Sequence, residues 1–376
     1  TRVTMTRPER ANALSLSTMQ DLVNISSEIA KDRSVRAVVL TGEGNDFCNG
    51  IDTSVFSSPL SSLRALVGPP FRRPLVQRVC LGWLSVPCPV IAAISGRCFG
   101  AGMQLALGCD LRFAAPSAQL GDDSAMVTAL RTGALDISAN SQGAVANAVP
   151  EYAAFGMPFL FGSLDQVWKM LDGPLGKELA DKSAEKGLVV LGYWDNGIRH
   201  MSNSKRALAK PEDLKGLKMR TPPDAVTVDI MQALGAEAQQ IKFAELYVAL
   251  QQGVVDGQEN PLMNIHASKL YEVNKFISLT GHKYEMTPLL MSKRTWDRLT
   301  EADRKVLQEA AAEATQLQRK LSKESDEKLV ADLKAKGVQI NTVDKAAFAK
   351  ATGKVDEKWL ASPIGAYLKK VIAAAR

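Results

Sequence analysis

All five cysteines of this 376-residue chain lie between positions 48 and 109, and none follows. That asymmetry constrains the fold more than any single motif, because unrelated residue types share it. All three histidines and all six tyrosines come after position 150. Residues 1–120 hold one lysine against eleven arginines, whereas residues 121–376 hold 25 lysines against nine arginines. A chain of this length already exceeds the usual reach of one hydrophobic core. The break therefore predicts two modules of separate origin. At 46% apolar and 23% charged, the chain is packable, which excludes a mainly disordered or collagen-like protein. The net charge of +6 is mild and no dense basic block occurs, so nucleic acid is not an expected partner. No apolar run approaches the roughly 18 to 20 residues of a membrane helix. The scattered cysteines suit a reducing compartment, and the cysteine-free remainder suits an exported protein. Cysteine spacings are long and no ligand pair sits at a helical repeat, so no metal is expected.

In the first segment, short strands alternate with glycine turns. Val35–Leu40 and Val90–Ile94 read as buried strands. Ser17 to Lys31 carries a helical apolar face through Met19, Leu22, Val23 and Ile29. Gly100 to Met103 opens a helix running to about Gly108, and Asp110 to Ala114 suits another strand. Leu60 to Leu84 mixes Pro, Arg and apolar residues, and its pattern matches no element.

From about residue 119 the texture becomes a long α/β alternation. Helices are predicted over Asp122–Leu130, Leu164–Lys186 (broken near Gly173-Pro174), Ala225–Leu234 and Ala244–Gln252, the last capped by Gly253. Strands are predicted at Ala134–Ser138, Leu188–Tyr193, Leu217–Arg220, Asn274–Leu279 and Met286–Ser292. Pro211–Leu214 reads as a short helical turn. Glu301 to Asp332 is good helix former throughout, as one helix or two, and small helices follow over Ala346–Ala375.

Four pieces of the first segment carry a resemblance. They are Arg7-Pro8-Glu9-Arg10-Ala11-Asn12-Ala13-Leu14, Val38-Val39-Leu40-Thr41-Gly42, Asp46-Phe47-Cys48-Asn49-Gly50-Ile51-Asp52, and Ala93 to Asp110 with Gly100-Ala101-Gly102 at its centre. Together they resemble the N-terminal half of the enoyl-CoA hydratase/isomerase (crotonase) superfamily. The resemblance implies a partial ββα spiral core over 1–116. It also implies an oxyanion hole made by the backbone N–H groups of Ile51 and Ala101, which would grip an acyl-CoA thioester oxygen. Gln104 stands where hydratases of that family carry a glutamate, and a carboxamide neither takes nor gives the required proton. The hole is therefore expected to be vestigial and no residue to be catalytic. A coenzyme A thioester enters only under this alternative, and no other cofactor is expected.

The second segment resembles the periplasmic solute-binding proteins of TRAP transporters (the DctP family) over about 116–367. The carrying pieces are Gln119-Leu120-Gly121-Asp122-Asp123, Pro158-Phe159-Leu160-Phe161, Asn196-Gly197-Ile198-Arg199-His200, Asp213 to Arg220, and Ala249 to Pro261. The resemblance implies an α/β fold of two lobes with the ligand between them, here incomplete because the first strand–helix–strand is replaced. Arg220 matches the arginine that pairs with the ligand carboxylate, a task suited to a rigid guanidinium fork. Asn260 matches an amide completing the carboxylate contacts, Arg199 a second basic contact, and Trp194 and Phe155 are candidate cleft-lining residues. The expected function is binding of a small organic acid for delivery to TRAP membrane subunits, in a chimera of modules 1–116 and 117–376. The larger module implies a periplasmic location. The start, Thr1-Arg2-Val3-Thr4-Met5, does not read as an export signal, so cytoplasmic retention stands beside it.

Overall fold

The structure, a computed structural model, describes residues 1–57, 65, 67, 73–115 and 123–375. The motif at 119–122, the module boundary at 116/117 and most of the patternless stretch at 60–72 lie outside the described residues. The chain forms two compact units, Thr1–Gly121 with Thr128–Ala139, and Asp122–Val127 with Asn140–Arg376.

The first unit holds a parallel sheet in sequence order: β1 (Arg2–Met5), β2 (Val38–Gly42), β3 (Val90–Ile94), β4 (Leu111–Ala114) and β5 (Ile137–Ala139). The register sets Val3 against Leu40, Val39 against Ile91 and Ala93 against Phe113. The predicted first helix forms as α1 (Leu16–Ile29), one turn of which is fixed by Ser15 accepting from Thr18 N–H at 3.2 Å. Its buried face is Met19, Leu22, Val23, Ser26 and Ile29, close to the periodicity read from sequence. Asn12 locks the loop beneath the sheet. It is fully buried with φ 56°, accepts from Arg7 N–H at 2.9 Å, and donates to Glu43 O at 2.9 Å and Asp46 O at 2.7 Å. Asparagine tolerates this left-handed conformation better than most side chains. The stretch without a clear pattern gives α2 (Leu75–Leu81) and a short 3₁₀ turn. A third helix, α3 (Ala101–Leu107), follows Gly100.

The second unit is built on two long antiparallel strands, β6 (Leu188–Asn203) and β10 (Phe276–Ser292). Both are longer than their sequence patterns. The predicted strands 274–279 and 286–292 are one element, and Leu188–Tyr193 is only the start of another. Register shifts between Ser278 and Lys283, Glu285 and Met286, and Leu289 and Leu290 break the two-residue alternation that would have revealed them. From β6 the sheet continues through β9 (Gly257–Asn260), β7 (Lys218–Thr221) and β8 (Glu237–Gln240), while β11 (Gln339–Thr342) pairs with β10. β8, β9 and β11 carry little periodicity and were invisible to pattern reading.

One uninterrupted helix spans Glu301–Ala335, opened by a capping box between Thr300 and Asp303. It lies against β6. Gln318 exchanges hydrogen bonds with the backbone of Asp195 at 2.8 and 2.7 Å, Arg319 donates to Tyr193 O at 3.0 Å, and Ser322 donates to Asp195 Oδ2 at 2.5 Å. Gly192 allows that approach, since a Cβ there would stand 2.3 Å from Thr315 Oγ1. Among the described residues no helix is long and apolar enough to cross a membrane.

Candidate functional site

Three of the residues singled out from sequence converge in the second unit. Arg220 is on β7 beside Gln258 of β9, and His200 of β6 stands opposite Asn260 at the end of β9. The ends of the short strands β7 and β9, beside the long strand β6, thus bring Arg199, Arg220 and Asn260 to one region of the sheet. The Asn260 side chain donates to Gln258 Oε1 at 2.5 Å and accepts from Arg199 Nη2 at 3.1 Å. Gln258 in turn donates to Ser202 Oγ at 2.7 Å. Asn264 reaches both Asn260 Oδ1 at 3.4 Å and Asn196 Oδ1 at 3.1 Å, completing a row of amides.

The two arginines are buried to the same degree, each 2% exposed, yet their surroundings differ. Every guanidinium nitrogen of Arg199 has a protein acceptor. Nε donates to Glu259 Oε2 at 2.5 Å, Nη2 to Glu259 Oε1 at 2.7 Å and Glu259 O at 2.6 Å, and Nη1 to Glu285 Oε2. Burial alone would lower the Arg199 pKa, but the two carboxylates more than reverse it and hold the cation firmly protonated. Burial would likewise raise Glu259, and Arg199 and His282 reverse that, keeping its carboxyl well below the ordinary range.

Arg220 has no such compensation. Its Nε donates to Ile241 O at 2.8 Å and its guanidinium carbon lies 5.9 Å from the Phe243 ring centre. No carboxylate among the described residues forms an ion pair with it. Burial, with the nearby Arg199 opposing and Glu259 aiding its charge, pushes its pKa down to about 10. It is a buried cation whose remaining fork has no carboxylate partner among the described residues, an arrangement that favours an anion.

Sequence reading missed Glu285, which sits in the middle of β10 where a connection between two strands was expected. It gave Glu259 no part in the site, yet Glu259 is the main partner of Arg199. Two further candidates hold different places. Phe155 is fully buried and stacks on Phe161 with ring centres 6.0 Å apart, and Trp194 donates its indole N–H to Thr315 Oγ1 at 3.1 Å on the long helix. Another ion pair, Lys283 with Asp224, lies buried nearby, with Thr227 Oγ1 accepting from the lysine at 2.8 Å.

His282 is fully buried, its Nε2 3.3 Å from Glu259 Oε2 and its Nδ1 2.8 Å from Thr280 Oγ1. Burial pushes its pKa down in spite of Glu259, and burial, with His282 and Lys345 adding to it, takes His200 down to about 3. Both folded values lie below the ordinary 6.5. Stability from these neutral rings is therefore full above the unfolded value and is lost as the pH falls below it. The melting midpoint read by calorimetry is expected to drop between pH 7 and pH 5. A midpoint that stays level over that window contradicts the neutral, buried assignment.

In the first unit, Ile51 and Ala101 lie on segments that run side by side. Cys48 N–H donates to Arg97 O at 2.9 Å and Phe99 N–H to Cys48 O at 3.0 Å. A Cβ on Gly50, whose φ is +97°, would stand 3.1 Å from Phe99 O and 3.8 Å from Ala101 N. The backbone N–H groups of Ile51 and Ala101 donate to no described residue, and Ile51 lines a pocket of about 300 Å³ with Glu9, Arg10 and Asn49 among its walls. Gln104 is exposed on α3. Among the described residues no group of His, Cys, Asp and Glu could hold a metal ion.

Comparison with known proteins separates the two parts of the chain. The family model for bacterial extracellular solute-binding protein, family 7 (DctP) matches residues 113–362. A model for enoyl-CoA hydratase/isomerase matches residues 1–161, short of half the chain and overlapping the first. The uncharacterized protein y4mM of Sinorhizobium fredii is 56% identical over 63% of this chain, which spans 44% of that protein's length. A TRAP periplasmic solute-binding protein of Polaromonas, solved with D-erythronate, is 38% identical with a TM-score of 0.67, over 70% of this chain and 86% of that one. The sugar-acid-binding protein of Advenella mimigardefordensis, solved with galactonate, is 34% identical with a TM-score of 0.68, over 70% of this chain and 86% of that one. With a match covering residues 113–362, the chain belongs to the family 7 bacterial extracellular solute-binding proteins.

Proposed function

We propose that this protein binds a small organic acid, with the carboxylate held by Arg220 and Asn260, for delivery to the membrane subunits of a TRAP-type transporter. One observation carries the reading: Arg220 is a buried guanidinium with a single backbone hydrogen bond and no carboxylate partner among the described residues. A ligand carboxylate would supply the missing charge and match the planar fork in two-point geometry. Asn260 is linked to the fork's strand neighbour Gln258 and adds a neutral donor. Arg199 acts as a positioning residue, because its nitrogens are already engaged by Glu259, Glu285 and Asn260. Relatives solved with D-erythronate and galactonate fit this class of ligand. Membership of an extracellular solute-binding family supports a periplasmic site of action. The solute-binding module is taken to begin at about residue 117. Titration calorimetry of the full chain against D-erythronate, galactonate and succinate tests the proposal. Saturable binding of at least one acid without turnover is expected, and no heat from any of the three overturns it.

A second reading concerns the first unit. The N–H groups of Ile51 and Ala101, which donate to no described residue, together with the match over residues 1–161, favour contact with an acyl-CoA thioester oxygen. Hydration does not follow, since Gln104 supplies no proton. A folded preparation that gives no heat with an acyl-CoA ends this reading.

A further inference from the structure

Resting on the carboxylate reading above, we infer that Glu285 sets this site for acids bearing a single carboxylate, by occupying the arginine that a second carboxylate would need. Arg199 and Arg220 lie 21 positions apart and look interchangeable as anion receptors. Among the described residues, Arg199 has carboxylate partners and Arg220 has none. Nη1 of Arg199 is bound to Glu285 and its other two nitrogens to Glu259, so the protein itself has placed two carboxylates on that cation. Lys283 is matched by Asp224 in the same way.

A ligand with one negative charge finds at Arg220 a fork with no carboxylate partner among the described residues. A second ligand carboxylate finds Arg199 filled, with Glu259 and Glu285 as its buried neighbours. It would lose its hydration and meet like charge with no compensating cation. Selection here therefore works by repulsion as much as by attraction. The groups beyond the arginines point the same way. Asn196 donates to Glu285 Oε2 at 3.1 Å and accepts from Asn264 at 3.1 Å, and Asn264 reaches Asn260. These neutral amides suit hydroxyl groups rather than charge. The ligand class is a hydroxylated monocarboxylate.

Titration calorimetry with D-erythronate and succinate at pH 7 tests this. Wild-type protein is expected to prefer D-erythronate by at least about tenfold. In Glu285→Gln, Nη1 of Arg199 is released from a charged partner, and the preference should shrink by about tenfold or reverse. Because that variant could lose its fold, a second measurement uses wild type alone. Titrations in buffers of different ionisation heat should show succinate taking up about one proton on binding, while D-erythronate takes up none. Equal affinity or a preference for succinate in wild type overturns the inference, as does an unchanged ratio in folded Glu285→Gln, or succinate binding without proton uptake. A wild-type chain that binds none of D-erythronate, galactonate and succinate overturns the carboxylate reading itself, and this inference with it.

Discussion

Arg220→Met is expected to abolish organic-acid binding and, in the same protein, to raise the melting midpoint of the ligand-free chain. The two effects have one cause. In the free protein Arg220 is 2% exposed, holds one backbone hydrogen bond to Ile241 and has no ion pair among the described residues. Its charge is carried at a loss until an anion arrives. Methionine has similar length and no charge to desolvate, so the ligand-free fold should gain about 1 to 3 kcal/mol, offset slightly by the lost bond to Ile241. Binding should lose about 2 to 5 kcal/mol, the usual cost of removing one partner of a buried charge pair. Calorimetry and thermal melting of one preparation read both numbers. A purely structural arginine predicts the opposite pair, unchanged affinity and a lower midpoint, and that outcome would refute the assignment.

Arg199→Met is expected to do the reverse to stability. Removing this guanidinium leaves Glu259 and Glu285 as buried anions beside each other, 0% and 2% exposed at their side chains. The loss should be about 3 to 5 kcal/mol, which is a large share of a domain's total stability. The pH dependence identifies the cause. In wild type, Arg199 holds the Glu259 pKa below its ordinary 4.5, so that pair contributes fully above this value and fades as pH falls through the folded one. Without Arg199, burial raises the Glu259 carboxyl instead, and its protonation removes the buried charge. The deficit relative to wild type should therefore shrink between pH 7 and pH 5. Paired unfolding curves of the two proteins at each pH check this, and a deficit that grows on acidification would count against the buried-anion account.

These two arginines show how far the sequence could be read. Strand β3 and the helix pair broken at Gly173-Pro174 were legible because β-branched runs, caps and prolines act locally. The convergence of Arg220 and Asn260 was expected only through resemblance to a family, since nothing local links residues 40 positions apart. Glu285 was not legible at all. Register shifts on either side of it disrupt the alternation by which a buried strand is recognised, and an acidic residue in such a run reads as a turn. β9 was hidden for a related reason. Gly-Gln-Glu-Asn has low strand propensity, and its place in the sheet comes from β6 and β7 on either side.

The compositional break and most of the local elements were determined by the sequence alone, while the candidate anion receptors entered through resemblance to a family. Local chemistry decides those features, because capping, glycine conformation and β-branching act over a few residues. The tertiary structure decided which arginine is available. Arg199 is neutralised by residues 60 and 86 positions away, delivered by β9 and β10 on either side of β6, whereas Arg220 receives none from the described residues. Availability of a buried charge depends on where its compensating charges come to rest, and long-range strand pairing places them.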